Sequence, residues 1–265
     1  MQPYGTMDPP GLRIAAWSGP RNISTALMRS FGARADVHVC DEPLYAHYLK
    51  ATGLPHPMAA QIQEQHECDL DKVIQWLTGP SENSSEIFYQ KHMAHHLLDD
   101  MPRDWVGSLR NVFLIREPRA MLPSLLQIIP GSGLMDTGLP QQVELFDQET
   151  RRTGSPPPVI DSADLLRNPR DILGALCEVL GIAFDEGMLS WPRGTRPTDG
   201  CWAEAWYGKA LGAIREVWPR FQLRTDGARL SLDGMPTLPS VKPARLFLQC
   251  SFSARWRRIF SAERP

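Results

Sequence analysis

The 265-residue chain carries 28 Lys and Arg against 30 Asp and Glu, a formal charge of −2, with 42% hydrophobic and 22% charged residues. Such a chain can bury a core, which excludes disorder throughout. Its near-neutral balance excludes coating of nucleic acid or anionic membrane by bulk charge, so any anion it binds is held locally. No run approaches the ~18 apolar residues of a membrane span, and residues 1–10 lack the basic and apolar regions of a secretory signal. The five cysteines (Cys40, Cys68, Cys177, Cys201, Cys250) are widely spaced with no C-x-x-C. That disfavours a disulfide scaffold or thiolate metal site, and a reducing cytoplasm is the expected compartment.

In chain order, residues 1–10 read as an extension. Residues 12–17 read as a short buried strand, followed by a turn at 18–22 that feeds a helix from Ile23. Residues 36–40 alternate like a second strand. Residues 44–77 look helical, with interruptions at Gly53, Pro55 and Pro57. A third strand is predicted over 86–90, with a helix starting at 93–98. Residues 111–116 form the best strand in the sequence, and Pro118 is placed for the first turn of a helix running through Leu126. A short strand at 159–161 precedes a helix at 170–180 that Gly181 ends. Strands alternating with helices predict a mostly parallel sheet flanked by helices on both faces. Residues 11–221 are expected to form this domain, and 222–265 a basic tail, poorly ordered as termini commonly are.

Two turns carry anion-binding chemistry. In Trp17-Ser18-Gly19-Pro20-Arg21-Asn22-Ile23-Ser24-Thr25, a strand turns into a helix whose first N–H groups converge on one point, where the dipole favours an anion. Arg21 adds a forked cation, and Ser24 and Thr25 add hydroxyl donors. The turn is like a P-loop but lacks the Walker Lys and second Gly. Read structurally, Ser24 and Thr25 would simply cap the helix. The second turn, Arg116-Glu117-Pro118-Arg119-Ala120-Met121-Leu122-Pro123-Ser124, puts Arg116 at the carboxyl edge of a central strand, where open α/β sheets bind ligands. Ser124 follows two helical turns on. Read structurally, Arg116 would pair with Glu117 or Asp161.

Together the motifs, Pro-Arg-x-x-Ser-Thr and then Arg-x-Pro-x-x-x-x-x-Ser, resemble the sulfotransferase family. The segment Val159-Ile160-Asp161-Ser162-Ala163-Asp164-Leu165-Leu166 is similar as well, and the likeness covers about 11–221. The resemblance implies a three-layer P-loop-like α/β fold and 3′-phosphoadenosine-5′-phosphosulfate (PAPS) as sulfuryl donor, with 3′-phosphoadenosine-5′-phosphate as product. It implies that Arg21, Asn22, Ser24 and Thr25 grip the 5′-phosphosulfate, and Arg116 and Ser124 the 3′-phosphate. Ile23 stands where the family usually has Gly. A β-branched residue resists positive φ, so the loop is expected to close differently. Ala26 stands where cytosolic members stack adenine on Trp.

Cys40-Asp41-Glu42-Pro43-Leu44 looks like the family segment whose Glu lies near the acceptor. Tyr89-Gln90-Lys91-His92 is similar to the Lys-Thr-His of cytosolic members, one residue shorter. Lys91 is therefore expected to neutralise the bridging oxygen. Glu42 and His92 are the candidate bases, Glu42 favoured on the longer motif match. His92 and His96 are the only histidines at i, i+4 spacing after the third strand, with no further ligands at metal spacing, so no metal site is expected. The acceptor is expected to be a small molecule bearing a hydroxyl or amine, lined by residues 45–67 and 130–142. Two other readings stand beside this one: a nucleotide kinase or other phosphoryl transferase, and a non-catalytic nucleotide-binding protein.

Overall fold

Alternation decides where the first strand goes. Successive residues of Ile14-Ala15-Ala16-Trp17 are all buried, so both faces of that strand need cover, as in the middle of a parallel sheet. The computed structural model describes residues 11–79, 86–192 and 194–203. The expected extension at 1–10 and the basic tail at 222–265 lie outside the described residues. The elements are β1 (Leu12–Ser18), α1 (Ser24–Phe31), β2 (Val37–Asp41), α2 (Tyr45–Thr52), α3 (Ala59–Gln65), α4 (Leu70–Thr78), β3 (Ile87–Met93), β4 (Arg110–Ile115), α5 (Pro118–Leu126), α6 (Leu139–Thr153), β5 (Val159–Asp161), α7 (Ser162–Arg167) and α8 (Pro169–Leu180). The five strands lie in the order β2-β3-β1-β4-β5, and every neighbouring pair is parallel.

Three layers result. On one face, Ile14 and Ala16 of β1 meet Leu27 and Phe31 of α1 and Leu173 and Leu176 of α8. On the other, Ala15 and Trp17 meet Val73 and Leu77 of α4, Met121 and Leu125 of α5, and Leu145 of α6. Helix α1 is buried along its whole length. Its outer side is covered by later chain: Ser30 Oγ donates to the Met188 carbonyl at 2.7 Å, and Arg29 pairs with Asp199.

Two sequence expectations change. The helix predicted from Met93 is not one: β3 runs on to Met93 and is followed by a single 3-10 turn, Ala94–His96. The last four residues of the segment assigned to loop at 130–142 begin α6, with Pro140 in its first turn. Proline is pre-organised for that position. The expected helix stop at Gly181 is present, with φ 76.

Candidate active site

The strand order fixes where a site can form. The chain from β1 winds outward to β2 and β3 on one side, then crosses to β4 and β5 on the other. The crevice at the carboxyl ends of β3, β1 and β4 is the switch point at which such sheets bind ligands. A cavity of about 640 Å³ opens there.

The β1–α1 turn forms its floor. Gly19 is required at its start, because a Cβ there would meet the Thr137 carbonyl oxygen at 2.2 Å. Arg21 and Ile23 both take the left-handed conformation, φ 63 and 59. Left-handed residues in such a loop curl successive N–H groups toward one point and make a concavity for anions. Ile23 thus takes the positive φ that a β-branched residue was expected to resist, and the surrounding structure outweighs the steric cost. No side chain caps α1, so Ser24 and Thr25 border the cavity rather than closing the helix end. Asn22 is wholly buried, and its Oδ1 has no partner among the described residues.

Strain at Ile23 has a measurable consequence. Relief of the left-handed backbone, worth about 1–2 kcal/mol, offsets the loss of its half-buried side chain. Ile23→Gly is therefore expected to stay within about 1 kcal/mol of wild type, whereas Ile14→Ala in β1 costs about 2–5 kcal/mol. Urea unfolding of both variants checks this; equal losses would contradict it.

Arg116 follows β4 and borders the same cavity. Its Nη1 donates to the Arg21 carbonyl at 2.6 Å, while Arg21 Nε donates to Ser124 Oγ of α5 at 2.8 Å. The two motifs are therefore one assembly. No carboxylate among the described residues pairs with Arg116, neither Glu117 nor Asp161. Burial holds its guanidinium below the ordinary arginine range. A half-buried cation without a carboxylate partner at a cavity wall calls for an anion.

On the opposite wall, Glu42 follows β2 with φ 46. Lys91 of β3 donates from Nζ to both Glu42 Oε1 and Asp41 Oδ1 at 2.6 Å. Glu42 and Lys91 border the cavity. His92 does not share that wall. Consecutive strand residues face opposite sides, and His92 is turned to the far face of the sheet, stacked on Trp17 with centroids 4.3 Å apart. Its Nε2 lies 3.2 Å from Gln90 Oε1. Asp41, which the sequence did not single out, is the added member of this group. The signal for it was the parallel register that pairs Asp41 with Lys91.

The outer cavity is bordered by both segments expected for an acceptor. Tyr45, Tyr48 and His56 come from the first, and Pro130, Ser132 and Asp136 from the second. Tyr45 Oη lies 3.0 Å from His56 Nδ1, and Tyr45 stacks on His96 at 4.7 Å. Trp202, from the Trp-rich segment after Asp199, packs edge-on against Tyr45 and is buried with α2 and α3. It supports this wall from behind.

Burial also sets the histidines. It pushes His92 down to about 3 and His95 to about 4, and His96 well below its ordinary value. All three stay neutral in the fold, while the unfolded chain takes up protons near pH 6.5. Stability is therefore complete above pH 6.5 and falls as pH drops through the window toward 4, by on the order of 2 kcal/mol per histidine at pH 5. Urea midpoints at pH 7 and 5 should show the loss, and His92→Phe should flatten the slope; a flat wild-type profile would contradict it.

Comparison with known proteins agrees with this geometry. A family model described as "Sulfotransferase domain" matches residues 12–220. The chain belongs to the sulfotransferase domain family. Two curated relatives of Arabidopsis thaliana, branched-chain-amino-acid aminotransferase-like proteins 1 and 2, are 39% and 38% identical over 194 and 195 residues, 73% of this chain. The chain spans about a third (34%) of the length of these relatives. Among solved structures, the sulfotransferase domain of the Synechococcus PCC 7002 olefin synthase is 18% identical, with a TM-score of 0.51 over 98% of both chains. A sulfotransferase domain from the curacin biosynthetic pathway is 15% identical, with a TM-score of 0.54 over 97% of this chain and 100% of that one. At these identities they show a shared fold. This sulfotransferase domain has the three-layer P-loop-like architecture with an all-parallel sheet. No helix among its described residues is long and apolar enough to cross a membrane.

Proposed function

We propose that this sulfotransferase domain moves a sulfuryl group from PAPS to a hydroxyl or amine of a small-molecule acceptor. The observation that carries the proposal is the junction of Arg116, the Arg21 carbonyl and Ser124, a linked cation-and-hydroxyl wall in which no carboxylate among the described residues pairs with Arg116. It fits a nucleotide carrying a phosphate at each end. The left-handed β1–α1 loop fits the same ligand. In this reading the β1–α1 loop, Arg21, Asn22, Ser24 and Thr25 hold the 5′ end, and Arg116 and Ser124 the 3′-phosphate.

The chemistry follows from charge. As the acceptor oxygen bonds to sulfur, the sulfur–oxygen bond to the nucleotide breaks and the electron pair leaves with the bisphosphate. Arg21, Lys91 and the loop N–H groups offset that developing charge. Glu42, on the cavity wall beside Lys91, takes the acceptor proton. His92, stacked on Trp17 across the sheet, has no part in this scheme. A sulfuryl group carries less charge than a phosphoryl group, so the scheme calls on no Mg²⁺. The free cysteines Cys40, Cys68, Cys177 and Cys201 are consistent with a reducing cytoplasm as its compartment.

The test is transfer of ³⁵S from labelled PAPS to a panel of phenols, alcohols and amines, alongside calorimetry with 3′-phosphoadenosine-5′-phosphate. Transfer with bisphosphate binding is expected. Binding without transfer to any acceptor would favour the non-catalytic reading, and phosphoryl transfer from a nucleoside triphosphate would favour the kinase.

A further inference from the structure

Charge is unevenly distributed around the cavity. Its cations among the described residues, Arg21, Lys91 and Arg116, belong to the β1–α1 loop and to the carboxyl ends of β3 and β4. The outer part, bordered by α2 and by the segment after α5, has one charged side chain among the described residues, Asp136.

Packing fixes where this carboxylate stands. Asp136 lies in the 3-10 turn Met135–Thr137. Gly138, directly after it, is left-handed with φ 67, and a Cβ there would lie 3.1 Å from the His95 backbone nitrogen and 3.5 Å from Gly19 Cα. The turn is therefore wedged between the β1–α1 loop and the Ala94–His96 turn. The half-buried carboxylate is also held in direction, since its Oδ2 accepts from the Gly133 N–H at 2.7 Å. No Lys, Arg or His among the described residues pairs with it.

The rings around Asp136 carry no positive charge to answer it. Burial lowers His56, holds His95 at about 4 and keeps His96 well below its ordinary value, so these imidazoles are neutral at pH 7. Burial, and after it the Asp136 charge, pushes Tyr48 up to about 12, which leaves a neutral phenol. Asp136 acts on Tyr48, His56 and His95 alike, and all four border one cavity. Tyr45 and Tyr48 stand one turn apart on α2, three and six residues past Glu42, and each turn adds about 5 Å. The wall that begins at Glu42 thus continues outward to this corner. Aromatic ring faces are negative and attract cations, and a half-buried carboxylate without a counter-ion does so more strongly.

We propose that the acceptor is a hydroxyl compound carrying an ammonium group, which docks its cation on Asp136 beside Tyr48 and presents its hydroxyl to Glu42. The proposal rests on the sulfuryl-transfer reading of this cavity and narrows its acceptor. A bound donor strengthens the selection, because its phosphates and sulfate add negative charge that repels an anionic acceptor and draws a cationic one. The ammonium has no free electron pair, so it serves to orient the molecule and is not the nucleophile. In the step itself the acceptor O–H bond breaks and its proton bonds to a Glu42 oxygen. The acceptor oxygen bonds to sulfur, and the electron pair of the broken sulfur–oxygen bond leaves with the bisphosphate. The ammonium passes through unchanged. Leu125, Ile128 and Ile129 on the cavity border suit the carbon spacer between the two groups.

Two sets of acceptors matched in shape and differing in charge test the assignment. One is tyramine, 4-propylphenol and 3-(4-hydroxyphenyl)propanoate; the other is 5-amino-1-pentanol, 1-hexanol and 6-hydroxyhexanoate. In at least one set, kcat/KM for ³⁵S transfer should be about 10–100-fold higher for the ammonium member than for the neutral one, and lowest for the carboxylate. In Asp136→Asn the ratio of ammonium to neutral acceptor should fall about tenfold or more, with the change carried mainly by KM. A merely structural role would lower both members together and leave that ratio unmoved, which would overturn the proposal. An equal or reversed order in both sets of the wild type would overturn it too, and decides the matter if Asp136→Asn does not fold. Recognition is also read without transfer, by NMR titration of the same acceptors onto protein saturated with 3′-phosphoadenosine-5′-phosphate. The ammonium member should bind most tightly, and failure of all six to bind would count against the ammonium site. That binding order without transfer to any acceptor would fail the sulfuryl-transfer reading and keep the ammonium site. Transfer without charge preference would do the reverse.

Discussion

Glu42→Gln is expected to lower kcat by about 10²–10⁴-fold, the contribution of a well-placed general base, while leaving 3′-phosphoadenosine-5′-phosphate bound with wild-type affinity. The amide keeps the length of the side chain and can still accept from Lys91, but it cannot take a proton. In the proposed reading the donor is held on the other wall, by the β1–α1 loop, Arg116 and Ser124, whose mutual hydrogen bonds the substitution leaves in place. His92→Asn serves as the contrast. That ring is buried against Trp17 and faces away from Lys91, so its loss should weaken the fold more than the chemistry. Steady-state kinetics and calorimetry on the two variants decide the matter. Normal turnover in Glu42→Gln, with a dead but nucleotide-competent His92→Asn, would transfer the role to His92.

The second large effect belongs to Arg116. Arg116→Ala should cost roughly 2–4 kcal/mol of bisphosphate binding, since Arg–phosphate contacts are charge-assisted and often bidentate. Two losses combine there. The guanidinium no longer meets the phosphate, and the Arg21 carbonyl loses the donor that props the loop. Arg116→Lys keeps the charge but not the fork, and should recover only part of the affinity. Adenosine 5′-phosphate, which lacks the 3′-phosphate, should bind wild type more weakly than the bisphosphate does and should be far less sensitive to the substitution. Equal affinity of the wild type for both nucleotides would remove Arg116 and Ser124 from nucleotide choice.

Much of the candidate site's layout could be read from the chain because parallel sheets bring residues to their carboxyl edge at predictable places. A residue just past a strand's carboxyl end sits at the binding edge, and Arg21, Glu42 and Arg116 all have that placement. What could not be read depended on facing and on packing. Lys91 and His92 are adjacent in sequence, and motif similarity treats them alike. A strand running through both sends them to opposite faces, and only the extension of β3 to Met93 reveals it. Ile23 defied a steric rule because the packing around the loop dictates its backbone. Asp41 was invisible because its contact with Lys91 depends on register with a strand some fifty residues away. Helix α6 was missed where prolines and glycines at 130–140 suggested loop; its buried face, with Leu139, Leu145 and Glu149, is long enough to dock on the sheet.

The central position of β1 also bears on how the molecule is made. Its Ile14 pairs with Tyr89 on one side and with Arg110 on the other, so the strand leaves the ribosome long before either partner exists. At about 5–20 residues per second, the 96 residues between Ile14 and Arg110 correspond to about 5–20 s of synthesis. Until β3 is made, both edges of a strand apolar on both faces are unpaired, and until β4 is made one edge stays open to any other nascent chain. Yield of this protein during rapid expression should therefore respond to slower translation or added holdase chaperones more than its final stability would suggest.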